Sequence, residues 1–324
     1  MKICVLGAGS LGSAMGGLLS EAGHEVWLIN RNPAHVDAIR AKGLTLREDG
    51  IDRVVRVHAA TCCADVDVQT CAVDLILVLV KSFHTREAIA SASAILGPDT
   101  VVLSLQNGLG HEDILAEVVG AQRLLAGKSY VGGQVFAPGQ VIVGAKGKDT
   151  HIGELDGQVT ARVTRIAQAF SDAGLQTLVS DNIMGTIWDK LLVNVATGAL
   201  SGITHLPYGE MYQQPDVEAC AVAAVAEAIA VAKAHGIALS VTDPRQPWLK
   251  AGAGLPYEFK ASMLQSLEKG SITEVDFVNG SVVRWGQKVG VPTPVNQTLV
   301  ACIKGIEHGL FHSAEAKKRA TKSH

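Results

Sequence analysis

The sequence predicts an α/β domain with a doubly wound, mostly parallel sheet, followed by an all-α domain. Three observations lead there. Nearly continuous apolar runs alternate with helix-like segments through the first half, a glycine loop follows the first of those runs, and long helix-like stretches take over from about Asn182. Strands buried on both faces read as unbroken apolar runs, because helices cover the sheet on either side.

The elements follow in order. Strand-like runs are "KICVLGAG", "HEVWLIN", "DLILVLVK", "TVVLSLQNG" and "LLAGKSYVGG", with helix-like segments at Leu11–Ala22 and Thr85–Leu96 between them. "PGQVIVGA" and "DTHIGEL" read as antiparallel additions. "DVEACAVAAVAEAIAVAKAHG" is the clearest later helix, with a small-residue face and Gly236 as its stop signal. The expected division is an α/β domain over residues 1–180, a helical substrate and catalytic domain over 181–312, and a polar, basic, disordered tail over 313–324.

Bulk properties bound the function. A chain of 324 residues suits two domains, and 48% hydrophobic against 18% charged residues supplies a large core. A net charge of −3 gives no reason to expect nucleic acid or an anionic membrane as partner. The cysteines (Cys4, Cys62, Cys63, Cys71, Cys220, Cys302) form no C-x-x-C pair, which points to a reduced, cytoplasmic protein. The N-terminus lacks a signal-peptide pattern, and no apolar run is long enough for a membrane helix. Scattered histidines offer no metal-ligand spacing, and no G-x-S-x-G elbow appears.

The cofactor signals cluster at strand ends. Gly7, Ala8, Gly9, Ser10, Leu11 and Gly12 spell G-x-G-x-x-G between the first strand and the first helix. In that setting the first glycine allows a tight turn, the second a close backbone approach to a pyrophosphate, and the third close helix packing. This is the fingerprint of a Rossmann-type dinucleotide site. The second strand ends on Asn30 and Arg31 rather than a carboxylate, so a guanidinium is offered to a 2′-phosphate and NADP(H) is favoured over NAD(H). Lys81 and Asn107 close the third and fourth of these strands, where such sheets bind ligands.

The segment "SDNIMGTIWDKLLVNVATGALSG" places Lys190 and Asn194 four residues apart, on one helix face among Trp188, Leu191, Leu192 and Val193. A lysine among apolar neighbours needs a partner or a task.

With "GAGSLG", "VK" at Lys81, "QNGLG" at Asn107, "SDNIMGTIWDKLLVN" and "SMLQSLEKGSITEVDFVNG" in this order, the chain resembles the ketopantoate reductase (2-dehydropantoate 2-reductase) family over nearly its whole length. The resemblance implies NADPH-dependent reduction of a 2-oxo acid to a 2-hydroxy acid, by default ketopantoate to pantoate in pantothenate biosynthesis. It makes Lys190 the catalytic lysine, acting as general acid, and Asn194 a substrate contact one turn on. Glu274 becomes the residue that touches the cofactor and supports the lysine, and Ser262 a ligand of the substrate carboxylate. Arg31, Lys81 and Asn107 match cofactor-contacting positions, and Gly133 a backbone contact.

Three positions depart from the family pattern, all on the substrate side: Gly198, Tyr208 and Phe259 stand where asparagines are common. Glycine and aromatics there remove donors and add apolar surface, which suggests a bulkier or more apolar 2-oxo acid. Two alternatives therefore stay open. One is a related D-2-hydroxyacid dehydrogenase of the mandelate type; the other is a non-catalytic NADPH-binding sensor. The small-residue helix at Asp216–Gly236 suits either a homo-oligomer contact or an intramolecular core.

Overall fold

The computed structural model describes residues 1–66 and 72–322, with side chains to Phe311; Cys71 lies outside them. The chain divides into two compact units, one of Met1–Gln106 with Gly110–Met184, the other of Asn107–Leu109 with Gly185–His324.

The N-terminal unit opens with β1 (Lys2–Leu6), α1 (Ser10–Glu21), β2 (Glu25–Ile29) and α2 (Pro33–Lys42). Three short strands follow, β3 (Leu44–Glu48), β4 (Ile51–Val55) and β5 (His58–Ala60). Next come β6 (Leu75–Val78), α3 (Thr85–Ser91), β7 (Val101–Ser104), α4 (His111–Val119) and β8 (Leu124–Ser129). The unit ends with β9 (Gly132–Ala137), β10 (Gln140–Gly144), β11 (Thr150–Gly153), α5 (Ala161–Asp172) and β12 (Thr177–Val179).

Eight strands form the main sheet in the order β12-β11-β8-β7-β6-β1-β2-β5. All neighbours are parallel except β8 and β11. The two-residue period of β1 explains the layers. Ile3 and Val5 point into a core shared with Met15 and Leu19 of α1 and Phe170 of α5. Cys4 and Leu6 point into the opposite core, with Ile89 of α3 and Leu115 of α4. The chain runs from β1 to β2 on one side and later enters β6 on the other, so the switch point lies at the C-terminal end of β1, where ligands bind in such sheets.

Two parts of the sheet differ from expectation. "LLAGKSYVGG" is two strands: the Ser129 hydroxyl accepts from Val131 N at 3.1 Å, and the chain turns out of the main sheet into β9. "PGQVIVGA" contains β10, which joins a separate four-stranded sheet of order β4-β3-β10-β9, antiparallel to β9 but parallel to β3. The hairpin β3–β4 has a positive φ at both Asp49 and Gly50. An Asp-Gly pair between apolar residues is a strong short-range hairpin signal, and it stood unread in the sequence.

The C-terminal unit holds no strand among its described residues. It comprises α6 (Ile183–Thr204), of which the first two residues belong to the other unit, α7 (Tyr208–Met211), α8 (Pro215–Ala234), α9 (Gln246–Gly252), α10 (Ser262–Glu268), α11 (Asn279–Val289) and α12 (Pro294–Lys322). The small-residue face of α8, with Ala221, Ala224, Ala228 and Ala232 buried, packs on α11 and α12 of the same chain. Glu227 of α8 accepts from Val295 N at 2.8 Å and Asn296 N at 3.0 Å, so a carboxylate caps N–H groups that have no partner within the first turn of α12. Gly236, at φ +71°, follows α8 as its stop, with Ile237 N bonded back to Ala232 O. Helix α12 continues through Lys322, over most of the tail expected as disordered; its alanines, lysines and glutamate are good helix formers. Residues 323 and 324 lie outside the described residues.

No described helix is long and apolar enough to cross a membrane. The five described cysteines are free.

Candidate functional site

In the N-terminal unit the loop Gly7–Gly12 is shaped by what its glycines lack. Gly7 has φ +98°, and a Cβ there would overlap the backbone of Leu79 and Val80 beyond β6. A Cβ on Gly12 would overlap the carbonyl oxygen of Gly7, so α1 can begin this close to β1 only without one. Gly9 faces open space. No side chain caps α1, and the first-turn N–H groups of Ser10, Leu11 and Gly12 have no carbonyl four residues back within the helix. The helix N-terminus therefore presents donors and the positive end of its dipole beside open space.

Neighbouring strands brace this loop. Gly7 N and Ala8 N both donate to Ile29 O. The Asn30 side chain donates to Ala8 O at 2.5 Å, and its oxygen accepts from Asn32 N at 2.9 Å. An aspartate in that place would set a carboxylate against a carbonyl. Arg31, exposed, donates to His84 Nε2 at 2.7 Å and lies 3.8 Å from Glu87. Lys81, also exposed, begins the turn that carries His84. Gly133 of β9 approaches Ser10 so closely that a Cβ would overlap its carbonyl oxygen, and Val135 N donates to the Ser10 hydroxyl. Gly7–Gly12, Arg31, Lys81 and Gly133 are thus gathered in one region.

In the C-terminal unit Lys190 is half-buried on α6, and its ammonium donates to Asn107 Oδ1 at 2.8 Å. Asn107 reaches that bond from a three-residue strap. Leu109 N donates to Phe277 O at 2.8 Å, and Gly108, at φ +98°, lies against the same carbonyl. The strap is docked on the turn that follows Glu274. That turn is held twice from α12: Glu307 accepts from Thr273 N at 2.7 Å, and Lys304 pairs with Asp276 at 2.5 Å.

Asn107, Asn194, Ser262 and Glu274 line one cavity of about 170 Å³. Thr197, Gly198, Tyr208, Phe259, Ala261, Met263, Ser266 and Val278 complete its wall. The space a side chain at Gly198 would take is filled by Met263, whose terminal methyl lies 3.2 Å from that Cβ position. Tyr208 is buried, its hydroxyl 2.9 Å from Thr197 Oγ1 and its ring edge-on to Phe259 with centroids 5.1 Å apart. Sequence reasoning missed Thr197, although it lies three residues after Asn194 and seven after Lys190, on the same helix face. It also missed Met263 and Val278, which carried no signal beyond being apolar.

A glycine-loop α/β unit followed by a helical unit in which a lysine is bonded to an asparagine of a polar cavity is the make-up of a two-domain oxidoreductase. The comparisons with known proteins agree. Residues 3–157 match the family model described as ketopantoate reductase PanE/ApbA, and residues 182–307 match the model of its C-terminal part. The 2-dehydropantoate 2-reductase of Halobacterium salinarum is 35% identical over 311 residues, spanning 94% of this chain and 98% of its own. That of Pyrococcus abyssi is 36% identical, spanning 95% and 98%. Among solved structures, a PanE/ApbA family ketopantoate reductase from Ralstonia eutropha superposes with TM-score 0.86 at 36% identity, covering 96% of this chain and all of that one. A D-mandelate dehydrogenase in a ternary structure with NADH and anilino(oxo)acetate superposes with TM-score 0.87 at 28% identity, covering 96% and 99%. The chain belongs to the ketopantoate reductase family.

Proposed function

We propose that this protein reduces a 2-oxo acid to the 2-hydroxy acid with NADPH, with ketopantoate as the substrate and Lys190 as the proton donor. One observation carries the reading: the Lys190 ammonium is fixed by Asn107, which lines the same polar cavity as Asn194, Ser262 and Glu274.

The residues present fit a dinucleotide. Gly9 leaves the open space, α1 supplies uncapped N–H groups, and β2 is followed by Asn30 and Arg31 rather than by a carboxylate. The Asn30 amide is already engaged on both sides, by Ala8 O in the loop and by Asn32 N in the turn after β2, which leaves Arg31 to meet a 2′-phosphate. When bound, NADPH supplies the hydride. As the keto oxygen gains negative charge, Lys190 stabilises it and gives up a proton. Asn107 takes one of the ammonium hydrogens and so fixes where the Lys190 head group stands. Asn194, one turn on, orients the substrate oxygens, and Ser262 donates to the carboxylate. Glu274 adds a negative charge to the cavity wall, which offsets the cost of holding an ammonium partly out of water. General acid catalysis of this kind contributes about 10²–10⁴-fold.

A second reading, a mandelate-type dehydrogenase, draws on the Phe259 wall and on the D-mandelate dehydrogenase superposition. NADPH oxidation with ketopantoate and benzoylformate in parallel separates the two. Ketopantoate is expected to win; a clear preference for benzoylformate selects the second reading. Tight NADPH binding without turnover of any 2-oxo acid would leave a sensor.

A further inference from the structure

Gln106 is the last residue of the N-terminal unit before the strap, and the next residue, Asn107, holds the Lys190 ammonium. It stands just past β7, where the backbone pairing with β6 gives out after the bond from Leu105 N to Val78 O at 3.4 Å. There the side chain takes over from the backbone. The Gln106 amide nitrogen donates to Val80 O and to Thr85 Oγ1, each at 2.8 Å, and its Oε1 accepts from the Ser104 hydroxyl at 3.2 Å. A carbonyl can only accept, so the partner at Val80 requires the nitrogen on that side and settles which way the amide faces.

The partners are themselves fixed. Thr85 donates to Ser82 O at 2.7 Å, and the Ser82 hydroxyl lies 2.9 Å from Nε2 of His111, the first residue of α4. Ser82, Thr85, Ser104 and His111 are at most 1% exposed, and Gln106 is buried with them. A buried polar network whose members are bonded to one another is rigid and holds one geometry. One amide thus ties the end of β7 to the segment after β6 and to the start of α3. Both of its hydrogens are engaged within the N-terminal unit, so Gln106 has no donor left for a ligand. What it supplies is position.

We propose that Gln106 is a positioning residue for the proton transfer: its amide sets the root of the strap, so that Asn107 Oδ1 stands where it holds the Lys190 ammonium. The proposal rests on the reading of Lys190 as the proton donor. An amide of this length is needed. Asparagine is a methylene shorter, and an ionised glutamate has no hydrogen for Val80 O. A misplacement of about 1 Å at a reacting group costs on the order of 10²-fold in rate, and the bond from Lys190 to Asn107 has little length to give.

The test is a double-mutant cycle in kcat for NADPH-driven reduction of ketopantoate, counted per NADPH-binding site so that misfolded protein does not enter. Gln106→Met keeps the length of the side chain and removes the amide. It should lower kcat by roughly 10- to 100-fold while the Kd for NADPH stays within about threefold. Asn107→Ala should lower kcat at least as far, and adding Gln106→Met to it should cost no more than about twofold further. A glutamine that acted only through general stability would give losses that multiply. Thr85→Val removes one acceptor of the amide and should repeat the pattern with a smaller loss, which keeps the cycle available if Gln106→Met fails to fold. Full kcat in the single variants, or losses that multiply in the double variant, overturns the positioning role; a slow Lys190→Ala alongside leaves the reading of the lysine standing. Lys190→Ala at the wild-type rate overturns both.

Discussion

Around Gly7–Gly12 the chain offers a ligand its backbone, whereas around Lys190 it offers side chains, and different forces hold the two. The loop is defined by absent atoms: Gly7 and Gly12 leave no room for a Cβ, and the end of β2 grips its amides and a carbonyl. The cavity beside Lys190's partner Asn107 is defined by present atoms that reach it from α6, α10, the Asn107 strap and the turn under α12. A backbone site should fail through geometry and a side-chain site through chemistry. Substitutions can tell these failures apart.

Lys190→Ala is the largest expected effect. It should lower kcat by about 10²–10⁴-fold while the protein keeps its thermal midpoint and its NADPH affinity. An equal loss of stability would mean that the half-buried ammonium is structural. Next comes Gly12→Ala, which forces the start of α1 away from Gly7 O and should cost about 2–4 kcal/mol in denaturant unfolding, together with cofactor binding. Gly9→Ala is its control. A Cβ there meets nothing, so stability should hold and only the Kd for NADPH should rise. If both glycines behave alike, the distinction between shaping the loop and admitting the ligand is lost.

A further change probes what keeps the N-terminal unit intact near neutral pH. Glu154, 7% exposed, takes a two-point contact from Arg162 at 2.7 and 2.5 Å. Burial alone would raise its carboxyl pKa. The hydrogen bonds from Arg162 and Thr160 outweigh that and hold it below the ordinary value. A lowered pKa stabilises the folded state above the unfolded value near 4.5 and is lost as pH falls through the folded one. Arg162→Met should therefore cost about 2 kcal/mol at pH 7, by urea titration, and progressively less below about pH 4. The smallest effect belongs to Arg31→Ala. Its side chain is 66% exposed, so the KM for NADPH should rise only about five- to tenfold and that for NADH hardly at all.

The same contrast explains what the sequence made legible. Glycine spacing and strand ends are local, so the loop, Arg31 and Lys81 could be read directly, as could the doubly wound sheet from runs such as "LILV". The small second sheet was missed because its strands are short and amphipathic and its Asp49-Gly50 turn went unread. In the cavity, Lys190 and Asn194 share a helix face, which periodicity exposes. Ser262 and Glu274 rested on family resemblance, because nothing local says that residues 194, 262 and 274 line one wall. Tyr208 was the instructive case. Its ring was legible as bulk, but the direction of its hydrogen bond depends on Thr197, eleven residues away, and its setting on an aromatic stack that includes Phe259 and Trp248 from two further segments.

The strap at Asn107–Leu109 bears on any attempt to take this molecule apart. Its three residues come from between β7 and α4 of the N-terminal unit yet belong with the C-terminal unit, where Asn107 holds the ammonium of Lys190. A polypeptide starting at Gly185 would be born without them. Fragment complementation split at that junction should therefore restore the lysine's setting only when the N-terminal piece is supplied in trans, and a synthetic "QNGL" peptide would be the shortest such supplement to try.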